Sequence, residues 1–346
     1  MVRQLINLKG IAERANVSIT TVSRVLRGRG EISEDTRDKV LKIAEKMRYR
    51  PNLAAKSIVS GQTNTIGVVM PSINPSLGNF DIQIALGIYE ELSTKGIIPI
   101  TLWTHFENKT CEKKQNKKLM DQILQLIDRR VDGMIVMPVD SFKDMYVNEI
   151  VERNVPLVTV DRDCLDSCAD FVGTDDAEGA RLAARHLLEL GHRKLGHIAG
   201  SANLTTGRVR WESFKETIAK IAGTSCIKIE DETFGTKIEP AMEMLKTKDR
   251  PTAIFAANDM IAFNVYKAAK ILGLKIGIDI SVVGFADLYI AEMLEPSLTT
   301  IKQNPYEMGK QAARMLLERV GRQVEIKPRT VLLKPELIIR NSTQKL

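Results

Sequence analysis

From Ile66 onward, short apolar runs alternate with amphipathic stretches at intervals of about 30 residues. The runs are Ile66–Met70, Val131–Met137, Pro156–Val160, Lys194–Ile198, Thr252–Ala256 and Ile280–Gly284. A strand that is apolar on both faces must be covered on both faces, and an intervening helix returns the chain so that successive strands run parallel. The pattern therefore predicts buried parallel strands in βα units. There are too many runs for one tidy sheet, and the stretch 162–176 reads as a crossing between two lobes. Two doubly wound lobes with a cleft between them is the expected architecture. In such sheets ligands sit beyond the carboxyl ends of the strands.

The first 60 residues follow a different rule. They hold 13 Lys and Arg against 6 Asp and Glu, whereas the rest of the chain holds 37 of each. The whole net charge of +7 thus lies in one small module, which points to a polyanionic partner for that module alone. Three short helices can be read in it. Asn7 caps one carrying Leu8, Ile11, Ala12 and Ala15, and Ser18 caps a second carrying Val22, Val25 and Leu26. Between them Asn16 suits a left-handed exit from the first helix. Ser33 caps a third, with Glu34 and Asp35 placed where acids suit the helix dipole. Its apolar positions are Val40, Ile43, Ala44 and Met47, and Tyr49–Pro51 ends it. Two helices joined by a tight turn form a helix-turn-helix pattern. The second helix leaves Ile19, Thr20, Thr21 and Arg24 outside, near its N-terminus. Short hydroxyl side chains approach base edges and phosphates closely, Ile and Thr can touch thymine methyls, and Arg can bind guanine bidentately. Residues 52–58 read as a helical segment too short to stand alone, and 59–65 as a linker.

Other classes find little support. Cys111, Cys164, Cys168 and Cys226 have no metal-ligand spacing, and His105, His186, His192 and His197 form neither a ligand set nor a triad. The run Gly200–Gly207 resembles a phosphate loop but lacks its Gly-Lys-Ser/Thr ending. No cofactor, metal or catalytic residue is expected. No apolar run has the length of a membrane span or the form of a signal peptide, so a cytoplasmic protein is expected.

Leu8–Leu26, Ile32–Val40 and Tyr49–Asn52 resemble the lactose-repressor (LacI/GalR) family. The likeness continues, in the family's order, through Val131–Gly133, Gly191–Arg193, Ala257–Asp259, Ile280–Phe285 and Ser297–Ile301. It implies an α/β chain in three parts. These are a three-helix helix-turn-helix domain over 1–50, a hinge helix and linker over 51–65, and a two-lobed periplasmic-binding-protein-like body of doubly wound parallel sheets over 66–346, which binds an effector and dimerises. Carried over residue by residue, Ile19, Thr20 and Arg24 read bases, while Ser18, Thr21, Ser23 and Thr36 hold phosphates. Asn52, Ala55 and Ile58 belong to the hinge that folds in the minor groove, with Ile58 as the apolar wedge where Leu is usual. Asp161, Arg208, Phe234, Asn258 and Asp287 would bind the effector.

The chain departs from the family at several points. Gly10 stands where an acid is common, and Ala286 removes an acceptor found in the frequent Gly-Phe-Asp-Asp pattern. Met137 stands where a polar group can occur, and the loop Pro71–Phe80 is longer than usual. The implied function is a sequence-specific regulator, expected to be a repressor, that binds a pseudo-palindromic operator in double-stranded DNA. It would be controlled by a small molecule such as a sugar or related metabolite. A homodimer is expected rather than a tetramer, because Arg340–Leu346 carries no leucine heptad. The alternatives are a solute-binding receptor with the same body and a co-repressor-dependent regulator of non-sugar metabolism.

Overall fold

A computed structural model describes residues 7–26, 28, 30–49, 61–71, 79–104, 112–138, 145–164, 169–233, 235–321 and 327–346 of the 346-residue chain. The chain divides into two compact units, residues 1–63 and 64–346.

The smaller unit is built on helices α1 (Leu8–Ala15), α2 (Ile19–Leu26) and α3 (Glu34–Lys46). Asn7 Oδ1 accepts the Gly10 amide at 2.9 Å, and Ser18 Oγ accepts that of Thr21 at 3.0 Å, so both caps satisfy an orphan donor. Asn16 takes the left-handed conformation (φ 55°) and turns the chain from α1 into α2. Ser33 behaves differently from the expectation. It precedes α3 without a capping hydrogen bond, and its hydroxyl donates to Thr36 Oγ1 at 2.8 Å. The end of α3 also falls earlier, at Lys46, because Arg48 is left-handed (φ 48°) and the Tyr49 amide folds back onto the Ala44 carbonyl. Ile11, Ala12, Ala15, Val22, Val25, Val40 and Ala44 fill the core, with Leu26, Ile43 and Met47 half-buried around it. A Cβ at Gly10 would meet only the movable methyl of Met47, at 3.3 Å, so packing does not require glycine there.

The larger unit has two lobes, each with a six-stranded sheet. In the first lobe β1 (Thr65–Pro71), β2 (Ile98–Thr104), β3 (Gly133–Val136), β4 (Leu157–Val160), β5 (Asp170–Thr174) and β11 (Thr330–Leu333) lie in the order β11-β5-β4-β3-β1-β2, all parallel. Helices α4 (Phe80–Thr94), α5 (Glu112–Asp128), α6 (Met145–Glu152) and α12 (Pro305–Arg319) belong to it. In the second lobe β6 (Lys194–Ala199), β7 (Ser225–Glu230), β8 (Ala253–Ala256), β9 (Ser281–Ala286), β10 (Thr299–Lys302) and β12 (Glu336–Ile338) lie in the order β12-β10-β9-β8-β6-β7, with β12 antiparallel. Its helices are α7 (Asp176–Glu189), α8 (Thr205–Ile218), α9 (Glu239–Lys246), α10 (Asp259–Ile271) and α11 (Tyr289–Met293).

All six apolar runs are strands. The stretch 162–176 is only partly a crossing. Residues 170–174 form β5, which is buried and paired to both β4 and β11, and the chain changes lobe after Thr174. It changes again after Lys302 and after Leu333. Three strands of chain therefore join the lobes, and one side-chain bond fastens two of them, Gln303 Nε2 to Thr174 Oγ1 at 2.8 Å.

Candidate functional site

On α2 the 3.6-residue period separates two faces. Val22 and Val25 are fully buried, while Ile19, Thr20 and Arg24 are exposed and Thr21 and Ser23 half-exposed. Ile19 is 49% exposed although it is a large aliphatic residue, and exposing it costs free energy that packing would have recovered. Ser18 and Thr21 are already engaged with each other, their hydroxyls 2.9 Å apart at the start of the helix. Thr36 is half-buried at the start of α3. Asn52, Ala55 and Ile58 lie outside the described residues.

Between the lobes lies a cleft open to solvent. The first lobe contributes Phe80 and Asp81 from the start of α4, and Asp161 and Arg162 from the turn after β4. The second contributes Ser201 and Leu204 before α8, Arg210 on it, Asn258 after β8, and Phe285 and Ala286 at the end of β9. These positions are strand carboxyl ends and the helix starts that follow them, as the topology requires. The backbone here is unusual. Asp161, Ala286 and Asp287 have φ of 64°, 128° and 56°, a region L-residues rarely enter, and such strain gathers at ligand sites. Gly207 is required beside the cleft, since a Cβ would stand 2.4 Å from the Ser201 carbonyl oxygen.

The charged groups of the cleft are buried. Arg210 donates from Nε to Asp176 Oδ1 at 2.7 Å and from Nη1 to the Ala257 carbonyl at 2.7 Å, with its guanidinium 3.6 Å above the Phe285 ring. Arg162 lies 3.6 Å from Asp161 and donates to the Pro138 carbonyl at 3.2 Å. Burial raises Asp81 to about 6, against the pull of Arg162 and with a further push from Asp161. Burial likewise raises Asp176 to about 6 despite Arg210, and lifts Asp161 against both arginines. Across the cleft the Asp163 amide donates to Thr205 Oγ1 at 3.2 Å.

The predicted effector residues separate into groups. Asp161 and Asn258 line the cleft. Asn258 also caps α10, its Oδ1 accepting the Ile261 amide at 2.7 Å. Arg208 and Asp287 are not among the lining residues; Asp287 is held by Arg340 at 2.7 Å. Phe234 lies outside the described residues. Met137 is buried in the first lobe's core. Arg210, Asp176, Asp81 and Arg162 escaped the sequence reading. A signal for Arg210 existed. Gly207, Arg210, Phe214 and Ile218 repeat at helical spacing and are all buried, whereas Arg208 falls off that stripe.

Residues 7–52 match the model for bacterial regulatory proteins of the lacI family, and residues 184–343 match a periplasmic binding protein-like domain. The HTH-type transcriptional regulator DegA of Bacillus subtilis is 33% identical, over 97% of each chain. The HTH-type transcriptional repressor PurR of Photobacterium profundum is 31% identical, over 98% of this chain and 99% of its own. Among solved structures, the lac repressor dimer bound to operator and the anti-inducer ONPF superposes with a TM-score of 0.83 at 27% identity, covering 98% of this chain and 99% of that one. A helix-turn-helix module and a two-lobed binding-protein-like body on one chain define a DNA-binding transcriptional regulator, not an enzyme. The chain belongs to the lacI family of bacterial regulatory proteins.

Proposed function

We propose that this regulator is a cytoplasmic repressor that binds a pseudo-palindromic operator as a homodimer, and that a small polar metabolite in the cleft sets its operator affinity. The observation that carries the reading is the division of α2 into a buried apolar face and an exposed face of Ile19, Thr20 and Arg24, on a module that holds the chain's whole charge excess. Ile19, Thr20 and Arg24 are assigned to bases; Ser18, Thr21, Ser23 and Thr36 to phosphates; Asn52, Ala55 and Ile58 to the minor groove. The module is assigned to 1–50, the hinge and linker to 51–65 and the body to 66–346. In the cleft, Asp161 and Asn258 are assigned to the effector together with Arg210, while Arg208, Phe234 and Asp287 keep the weaker support of the family likeness. The solved lac repressor dimer carries both operator and anti-inducer, which supports the two-site arrangement. No helix among the described residues is long and apolar enough to cross a membrane.

The mechanism follows from linkage. A ligand that prefers one arrangement of the lobes shifts the population toward it, and operator affinity changes only by that difference in preference. The test is selection of a binding site from random duplex DNA by the full chain, then anisotropy titration of that site. A two-fold-related consensus bound far more tightly than scrambled duplex is expected. Equal affinity for all duplexes would overturn the assignment.

A further inference from the structure

We propose that the cleft takes an effector bearing a protonated amine, with Asp81 as the partner of that amine. The inference rests on the reading of the cleft as the effector site.

The pairing of carboxylates with guanidinium groups at the cleft leads to it. Asp176 is bound to Arg210, and Asp161 lies beside Arg162. Asp81 is the carboxylate left over. It is only 7% exposed and lines the cleft, yet no described residue donates a hydrogen bond to it or stands at ion-pair distance. The segment before it, residues 71–79, contains no Lys or Arg in sequence. Asp81 is thus a carboxylate in a largely desolvated place with no cation at ion-pair distance among the described residues. Taking a carboxylate out of water costs several kcal/mol unless a cation or donors replace the water. An ammonium supplies both a charge and N–H donors. A hydroxyl supplies a donor without the charge, and an anion adds repulsion. Asp81 also stands on the first lobe, opposite Asn258 and Ser201 on the second, so a ligand reaching both would favour their approach.

The inference has a pH signature. The charged groups that act on Asp81 are Arg162 and Asp161 after β4, with Arg210 on α8 lining the same cleft; those on α12, Glu307, Lys310 and Arg314, are engaged with Glu90, Glu91 and one another. An amine binds the ionised carboxylate, so its affinity is full above about pH 6 and falls as Asp81 takes up a proton below it.

The test uses the full chain and calorimetry with four matched pairs: glucosamine and glucose, galactosamine and galactose, mannosamine and mannose, and 1-amino-1-deoxysorbitol and sorbitol. At least one amine is expected to bind tenfold or more tightly than its hydroxyl counterpart at pH 7.5. It should weaken about five- to tenfold at pH 5, the smaller figure for the amino sugars, whose amine is only partly protonated at pH 7.5, and by about 30-fold or more in Asp81→Asn, the usual consequence of removing one partner of a buried charged pair. The pH arm needs no variant, so a poorly folded Asp81→Asn does not spoil the test. The inference is overturned if no amine of the set binds, or if amines bind no better than their counterparts. Equal amine affinity in a folded Asp81→Asn also overturns it. A hydroxyl member that binds alone and shifts operator affinity sinks this inference and leaves the regulator reading standing. An amine that binds as expected without shifting operator affinity does the reverse.

Discussion

Arg24 is the exposed cation of α2 that the bidentate geometry of guanine suits best. Arg24→Ala should cost about 1–3 kcal/mol on the selected operator and much less on scrambled duplex, as read by anisotropy. A uniform loss on every sequence would make it a phosphate clamp. Arg210 and Arg208 allow a sharper contrast. Arg210→Ala leaves Asp176 buried without its cation and should destabilise the body by about 3–5 kcal/mol in urea unfolding. Arg208→Ala, half-exposed on the other side of α8, should cost well under half of that. Residue identity in the cleft was therefore only half legible. Asp161 and Asn258 follow strands that announce themselves, so their place is given by the alternation of strand and helix. Asp81 follows a stretch of sequence with no period, and nothing in its neighbours says that the carboxylate turns inward.

The same residue makes a stability prediction whose sign can be worked out. Its folded pKa, about 6, lies above the unfolded value of 3.8, so the folded state holds the proton more tightly. Any penalty is absent below about pH 4, grows as pH rises through 6, and is complete above it. Asp81→Asn should then gain stability relative to the parent protein between pH 4.5 and 7.5, by about 1–3 kcal/mol at the upper end. A difference between the two proteins that stays flat across that range would refute the burial argument. His197 runs the other way. Burial among Trp211, Phe214 and Phe255 lowers it to about 3, so the stability its neutral form provides is lost as pH falls below 6.5.

At the scale of elements, legibility followed position in the sheet. The six runs seen in the sequence, β1, β3, β4, β6, β8 and β9, are all interior strands, buried on both faces and therefore continuously apolar. All four edge strands, β2, β7, β11 and β12, were missed. An edge strand needs less apolar surface: β7 is half-buried with exposed ends, and β11 alternates exposed and half-buried residues. The interior strands β5 and β10 were missed for another reason. Asp170 in β5 is matched by Arg319 and Arg329, and Thr299 and Thr300 in β10 by hydrogen bonds, so their polar letters hide buried strands. Helix packing has its own hidden determinant. A Cβ on Gly87 of α4 would lie 2.0 Å from the Tyr306 carbonyl oxygen, and one on Gly309 of α12 would lie 2.1 Å from that of Ile84. Gly87→Ala, normally favourable within a helix, should instead force the pair apart and lower stability by about 1–3 kcal/mol or more. An unchanged or raised midpoint in thermal unfolding would contradict so close a crossing.

At the scale of the whole molecule, two units of different chemistry share one chain. One is small, basic and exposes a polar helix face; the other is electrically balanced and gathers buried charge in a cleft. Division of this kind makes sense only if the two sites influence each other. The coupling must appear as a change in operator affinity on ligand binding, and reciprocally as a change in ligand affinity on operator binding. The most direct measurement is operator affinity of the full chain with and without a compound that calorimetry shows to occupy the cleft. The account predicts a change of about 5–150-fold, the range of ordinary allosteric coupling. The same operator affinity in both conditions, with the cleft filled, would contradict it.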